Sequence, residues 1–340
     1  MSLGSTPNNK IKFGFEVPTV AGGGGIHRDT PLYEKIDWRM TKELVLNAEA
    51  FGYDNIWMPD HLQLGREGEI FEIWTLLGAF VTLTDRIGLG TLCMANTFRY
   101  PSILAKMAAT LDCISGGRML LGIGTGWNPV EHSGYGIPLP RPGERIDRLR
   151  EAIILMKRMW SNDGLGATFD GKYYTIENAI CKPSPVQPGG PPVIVGAVQP
   201  RALRLAAKLG DGWNIGDDPT PDFYNMKLNE VHSYCDRSGR NRESLAKTID
   251  MHVIIGKNEK DHKEKVSLLR KQAVSDEIGS LQLIPGDILE NCISGTPERC
   301  IAKIKQFTSL GVTQFMLWFL DVPSSDSLEL FAREVMPAFR

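Results

Sequence analysis

The stretch Gly116-Gly-Arg-Met-Leu-Leu-Gly-Ile-Gly-Thr-Gly-Trp-Asn-Pro-Val-Glu131 constrains the fold more than any other. In it a short apolar run, Met119 to Ile123, breaks into a glycine-rich turn and then an acidic residue. A parallel strand buried on both faces reads as a continuous apolar run, and a turn poor in Cβ atoms at its carboxyl end lets backbone approach a ligand. The construction recurs at Asn55-Ile-Trp-Met-Pro-Asp-His61, Arg86-Ile-Gly-Leu-Gly-Thr-Leu-Cys93, Pro192-Val-Ile-Val-Gly-Ala197 and Gly212-Trp-Asn-Ile-Gly-Asp217. Folds of the α/β class collect their sites at the carboxyl ends of strands, so several such turns predict one shared cleft.

Between these runs lie segments of helical period. Strands read at 10–17, at the run ending in Asp60-His61, at 86–93, 119–123, 192–197, 212–217, 248–255 and 313–319. Helices read at 37–51, 73–84, 101–115, 144–160, 200–209, 221–237, 297–310 and 325–339, with Arg145, Arg148 and Glu151 outward and Ile146, Leu149, Ile153 and Met156 inward on the fourth. Residues 168–178 alternate around Asp170-Gly171, a hairpin signal. Eight strand-then-helix units predict a (β/α)8 barrel rather than two Rossmann halves. The interruptions at 16–37, 62–72, 187–192 and 257–294 are too short for a second domain. The chain therefore reads as a single barrel domain over 1–340, with 257–294 as an insertion over the barrel mouth.

The chain has 340 residues, 42% of them hydrophobic, enough to bury a large core. Its net charge of −2, with basic residues dispersed, argues against a nucleic-acid surface or a polybasic membrane anchor. No apolar run reaches the ~18 residues of a membrane span, and the start lacks a secretion signal, so a cytoplasmic protein is expected. Six scattered cysteines lack the spacing of a zinc site or a disulfide scaffold and read mostly as buried thiols; no metal site is expected.

Two glycine clusters carry less than their composition suggests. Gly22–Gly25 is followed by no immediate helix and reads as a flexible loop. Gly122-x-Gly124-x-Gly126 has Trp127 where the dinucleotide fingerprint places its third glycine, which excludes a Rossmann reading. At the strand ends, His61 beside Asp60 places an imidazole able to exchange a proton near neutral pH at a cleft. Glu131 reads either as a carboxylate orienting a ring nitrogen or as a helix cap. Gly196, Ala197 and Val198 precede Pro200-Arg201; amides there suit a phosphate with Arg201 as counter-charge, or a plain tight turn.

The strings Phe51-Gly-x-x-x-x-Trp57-x-x-Asp60-His61, Leu89-Gly-Thr91, Phe98-Arg-Tyr-Pro-x-x-x-Ala105, Leu111-Asp-x-x-Ser-x-Gly-Arg118, Leu121-Gly-x-Gly-x-Gly-Trp-Asn-x-x-Glu131 and Asp211-Gly-Trp213 resemble the bacterial-luciferase-like superfamily, and within it the branch using the deazaflavin coenzyme F420. The resemblance covers roughly residues 10 to 255 and implies the same barrel. It implies a cofactor ring in the barrel mouth, backed by a non-proline cis peptide that string matching places at Leu92-Cys93. It implies that the segments Gly124-Thr125-Gly126-Trp127 and Gly196-Ala197-Val198, with Arg201, hold the rest of the cofactor, and that His61 and Asp60 are the active-site pair. The sequence departs from the pattern at Trp127, where some deazaflavin dehydrogenases carry a glutamate as proton donor, leaving Glu131 as the nearby carboxylate. It departs again at Ala197, where many members have glycine; an alanine still offers its amide. The implied activity is hydride transfer between F420 and a small organic substrate with His61 managing the proton. The alternatives are a monooxygenase using reduced FMN and oxygen, and a non-catalytic cofactor-binding barrel. The resemblance and the apolar faces of the early helices further imply a homodimer.

Overall fold

A computed structural model describes residues 10–21, 32–161, 165–275 and 291–340. In chain order the elements begin β1 (Lys12–Glu16), α1 (Trp38–Ala50), β2 (Asn55–Met58), α2 (Ile73–Leu83), β3 (Gly88–Thr91), β4 (Met94–Ala95), α3 (Pro101–Ser115), β5 (Met119–Gly124), α4 (Pro129–Gly134) and α5 (Pro142–Ser161). They continue β6 (Ala167–Asp170), β7 (Thr175–Ala179), β8 (Val193–Gly196), α6 (Pro200–Leu209), β9 (Gly212–Ile215), α7 (Pro221–Arg237), β10 (Ala246–Ile255) and α8 (Glu259–Ser275). The last are β11 (Ile293–Gly295), α9 (Pro297–Thr308), β12 (Gln314–Phe319) and α10 (Asp326–Glu334). Hydrogen-bonded strand order reads β11-β10-β12-β1-β2-β3-β5-β8-β9 with a further β9–β10 pairing. That is the strand order of the expected (β/α)8 fold class.

The chain divides into two compact units. The first, chiefly residues 73–214 and 228–246, holds parallel strands β3, β5, β8 and β9, with β4 on β5. Helix α3 starts at Pro101, whose missing N–H has no helical partner to lose, and stops at Gly116, which takes the left-handed φ of 67°. Its buried Leu104, Ala105, Ala108 and Leu111 recur at helical spacing. The string around Arg118 is architectural: the buried guanidinium donates to the carbonyls of Val81, Thr84, Ile87 and Ser115 and to Thr84 Oγ1. Asp112, also buried, accepts from the main chain and side chain of Gln187.

The second unit, chiefly residues 6–72, 215–227 and 247–340, holds parallel strands β1, β2, β10, β11 and β12. Alternation along these strands sorts its two faces. Phe13, Phe15 and Phe319 pack against rings outside the sheet, with Phe13 and Phe319 within 5.7 Å of Phe331 and Phe15 6.4 Å from Tyr53. The alternate residues Gly14, Glu16, Asp250, His252, Met316 and Trp318 occupy the opposite face.

Several expectations need correction. Glu151 is not outward: it is buried, and its carboxylate accepts the main-chain N–H groups of Lys172 and Tyr173. The β6–β7 hairpin, itself expected, covers that side of α5. The sixth expected strand ends at Ile215 rather than Asp217, and the final expected helix stops at Glu334 before a separate turn over Met336–Phe339. Helix α4 and strand β11 were not foreseen. Of the expected insertion, residues 259–275 are helical, while 276–290, like Gly22–Gly25, lie outside the described residues. All six cysteines are free thiols; Cys93 and Cys113 are partly exposed and the other four buried.

Candidate active site

In the first unit, three chain segments meet beyond the strand ends. After β3 the chain turns through Leu92-Cys93, whose peptide is cis, and resumes as β4 beside β5. A Cβ on Gly196 would lie 3.0 Å from Cys93 Sγ, and one on Gly124 would lie 3.6 Å from Cys93 Cβ. Cys93, Gly124 and Gly196 thus lie together, and the two glycines add no side chain to the surface they share. Asn96 closes its edge: its N–H donates to the Gly124 carbonyl (3.1 Å), and its Nδ2 donates to Tyr174 Oη (3.3 Å). Asn96 Oδ1 is buried and has no donor among the described residues. Burial pushes the Tyr174 phenol upward in pKa, and hydrogen bonds from Asn96 and Arg148 pull it partly back, so the phenol stays protonated at neutral pH.

The glycine turn is held from behind. Gly126 has φ of 73°, and a Cβ there would lie 2.3 Å from Thr97 Oγ1. Thr97 meets His132 Nε2 at 2.8 Å, and His132 Nδ1 meets the Asn128 carbonyl at 2.6 Å. A carbonyl only accepts, so Nδ1 carries the proton and Nε2 accepts from the Thr97 hydroxyl. Asn128 caps α4 through the Val130 N–H and donates its amide to Glu131 Oε1 at 2.5 Å. Of the two readings of Glu131, this geometry is the helix-start one: the carboxylate is fully buried. Arg145, expected to point outward, hydrogen-bonds the Gly126 carbonyl. Thr125 hydrogen-bonds the same oxygen, and Trp127 is largely exposed.

The expected phosphate segment differs in detail. The Ala197 N–H is committed to the Asn214 carbonyl (3.0 Å), and its carbonyl accepts Trp213 Nε1 (2.8 Å). The amide that an alanine was expected to keep free is therefore occupied. Among the described residues, those of Val198 and Gln199, directly before Pro200, are uncommitted. Arg201 turns toward α5, where Nη2 pairs with Asp147 Oδ1 at 2.7 Å.

In the second unit, β2 delivers Asp60, buried, and His61, partly exposed. Sequence reasoning missed a further pair there. His252, level with Trp318 on the neighbouring strand, sets its Nδ1 2.5 Å from Asp218 Oδ2, while its main-chain N–H donates to Asp218 Oδ1 at 2.8 Å. Asp218 is buried at a positive φ of 47°. The only trace in the sequence is Asp217-Asp218 following a strand, and a histidine on the alternation of 248–255.

A family model described as luciferase-like monooxygenase matches residues 12–314. The chain belongs to that family. Two relatives are proteins called F420-dependent glucose-6-phosphate dehydrogenase. The one from Kineococcus radiotolerans is 28% identical over 315 residues, covering 88% of this chain and 92% of the relative. The one from Intrasporangium calvum is 29% identical over 338 residues, covering 90% and 99%. A solved structure described as an F420-dependent secondary alcohol dehydrogenase in complex with an F420-acetone adduct superposes on this family member with a TM-score of 0.77. It is 20% identical and covers 97% of this chain and 99% of its own, a likeness of fold.

Proposed function

We propose that this luciferase-like protein is an oxidoreductase that exchanges a hydride between the deazaflavin coenzyme F420 and a small organic substrate. The observation that carries the reading is the near full-length similarity to relatives named for F420. The residues present fit such a group. Cys93, Gly124 and Gly196 leave a surface on which a flat ring can rest, and buried Asn96 Oδ1 lacks the donor that a ring N–H would supply. The Val198 and Gln199 amides before α6 suit a phosphate at a helix N-terminus.

When bound, F420 supplies a two-electron hydride acceptor or donor; the chain supplies orientation and proton handling. Thr97, His132 and Asn128 hold the glycine turn in one shape. His61, an imidazole, takes the proton from a substrate hydroxyl as its carbon loses hydride, or returns it in the reverse direction. We assign Asp60, its neighbour in the sequence, as the positioning carboxylate. We assign Glu131 to the start of α4 rather than to proton transfer. The relatives' sugar phosphate is not extended to this chain, because Trp127 stands where the proton-donating glutamate is expected.

Exposed Ile103 and Ile114 on α3 support a homodimer, which solution scattering tests. A cytoplasmic location is consistent with the finding that no described helix is long and apolar enough to cross a membrane. Titrating the purified protein into F420 is expected to quench or shift its fluorescence in the micromolar range. No response at millimolar cofactor, together with oxygen uptake on adding reduced FMN, would replace this reading with a flavin monooxygenase.

A further inference from the structure

Helices α5 and α6 of the first unit enclose a groove of about 290 Å³ between them. Its rim is cationic: Arg150 stands on α5, and Arg201, Arg204 and Lys208 stand on α6. Its floor is apolar, with Leu205 buried, and Asp147 is the one acidic residue in the lining. Asp147 is already paired with Arg201, and Arg150 lies 3.6 Å from the buried Glu151 carboxylate, whereas Arg204 and Lys208 have no ion-pair partner among the described residues. Positions 201, 204 and 208 fall on one helical face, and at 1.5 Å per residue they lay out a track about 10 Å long. The track starts one residue after Pro200, beside the Val198 and Gln199 amides, and runs away along the helix. Arg204 and Lys208 are its uncompensated charges, and like charges left unpaired along a groove attract an anionic ligand.

We propose that this groove binds the anionic oligo-γ-glutamyl tail of the cofactor, an inference that rests on the F420 reading above. A phosphate seated at the start of α6 delivers the chain that follows it to Arg201, and successive carboxylates then meet Arg204, Lys208 and Arg150. The track is long enough for about two γ-linked glutamates in extended form. The contacts are exposed, so each contributes a small factor that added salt removes. The consequence is selection by tail length, with no change in the site that performs the chemistry.

The test is fluorescence titration of the full-length protein with F420 preparations that lack glutamate and with preparations carrying a long glutamate tail. Each is titrated in about 20 mM and about 300 mM sodium chloride. The wild-type protein is expected to bind the long-tailed form about ten-fold more tightly at low salt, with the preference falling to about two-fold at high salt. The variant Arg204→Gln/Lys208→Gln is expected to bind both forms with the affinity of the tail-less one, and its retained tail-less binding reports that it is folded. Equal affinities in the wild-type protein, or a tail preference that survives in the variant, would overturn the proposal. Failure of every preparation to bind would instead overturn the F420 reading, and the groove's assignment with it.

Discussion

Gly126 is the residue whose loss is felt furthest. An added methyl group meets Thr97 Oγ1 at 2.3 Å on a backbone at φ 73°, and Thr97 is the donor that fixes His132. Gly126→Ala is expected to cost about 2 kcal/mol through left-handed strain and the disturbed hydrogen bond. F420 affinity should fall about ten-fold as the turn shifts. Urea denaturation and cofactor titration read the two effects; a variant with wild-type midpoint and affinity would show that the turn needs no glycine. The turn was legible in the sequence because a missing Cβ announces itself at a single position. His132 and Asn96 were not, since the residues that give them meaning, Thr97 and Tyr174, lie 35 and 78 positions away. Ala197 shows the converse: its amide is readable, but not the neighbouring strand that occupies it.

At the scale of elements, helix limits were the most legible feature. Helices α3, α6 and α7 begin at Pro101, Pro200 and Pro221, each a proline at a place where its absent N–H is harmless. What alternation and period do not report is which elements are covered twice. Helix α5 buries Leu149, Ile153 and Met156 as expected, yet the β6–β7 hairpin also buries Glu151 from another side. Glu151→Ala would leave the Lys172 and Tyr173 amides without their acceptor. We expect a loss of about 2 kcal/mol and faster hydrogen exchange over residues 171–174. Unchanged exchange there would mean that the hairpin is held by its own pairing alone.

At the scale of the whole molecule, the strand-and-helix rhythm was enough to give the strand order, while the partition into two compact units depends on packing that no local pattern encodes. In the second unit burial pushes four weak acids upward: the Tyr53 and Tyr224 phenols and the Cys292 thiol go well up, and the Cys300 thiol up to about 12. A group whose pKa is raised by folding stabilises the folded state fully below its unfolded value and loses that contribution as pH climbs toward the folded one. Stability should therefore hold to pH 9.0, the ordinary value for the two thiols, and decline above it, with the phenols adding to the decline beyond 10.0. Urea midpoints measured across neutral and alkaline pH test this, and a flat profile through the alkaline range would contradict it.

We propose that the surface formed by Cys93, Gly124 and Gly196 receives the ring of a deazaflavin, and crystals soaked separately with F420 and with FMN are the sharpest test of it. The F420 soak is expected to show ordered cofactor with its ring against the Leu92-Cys93 segment, a ring N–H on Asn96 Oδ1, and its phosphate at Val198 and Gln199. Ordered FMN in that place with no F420 density, or F420 bound away from these residues, would contradict it.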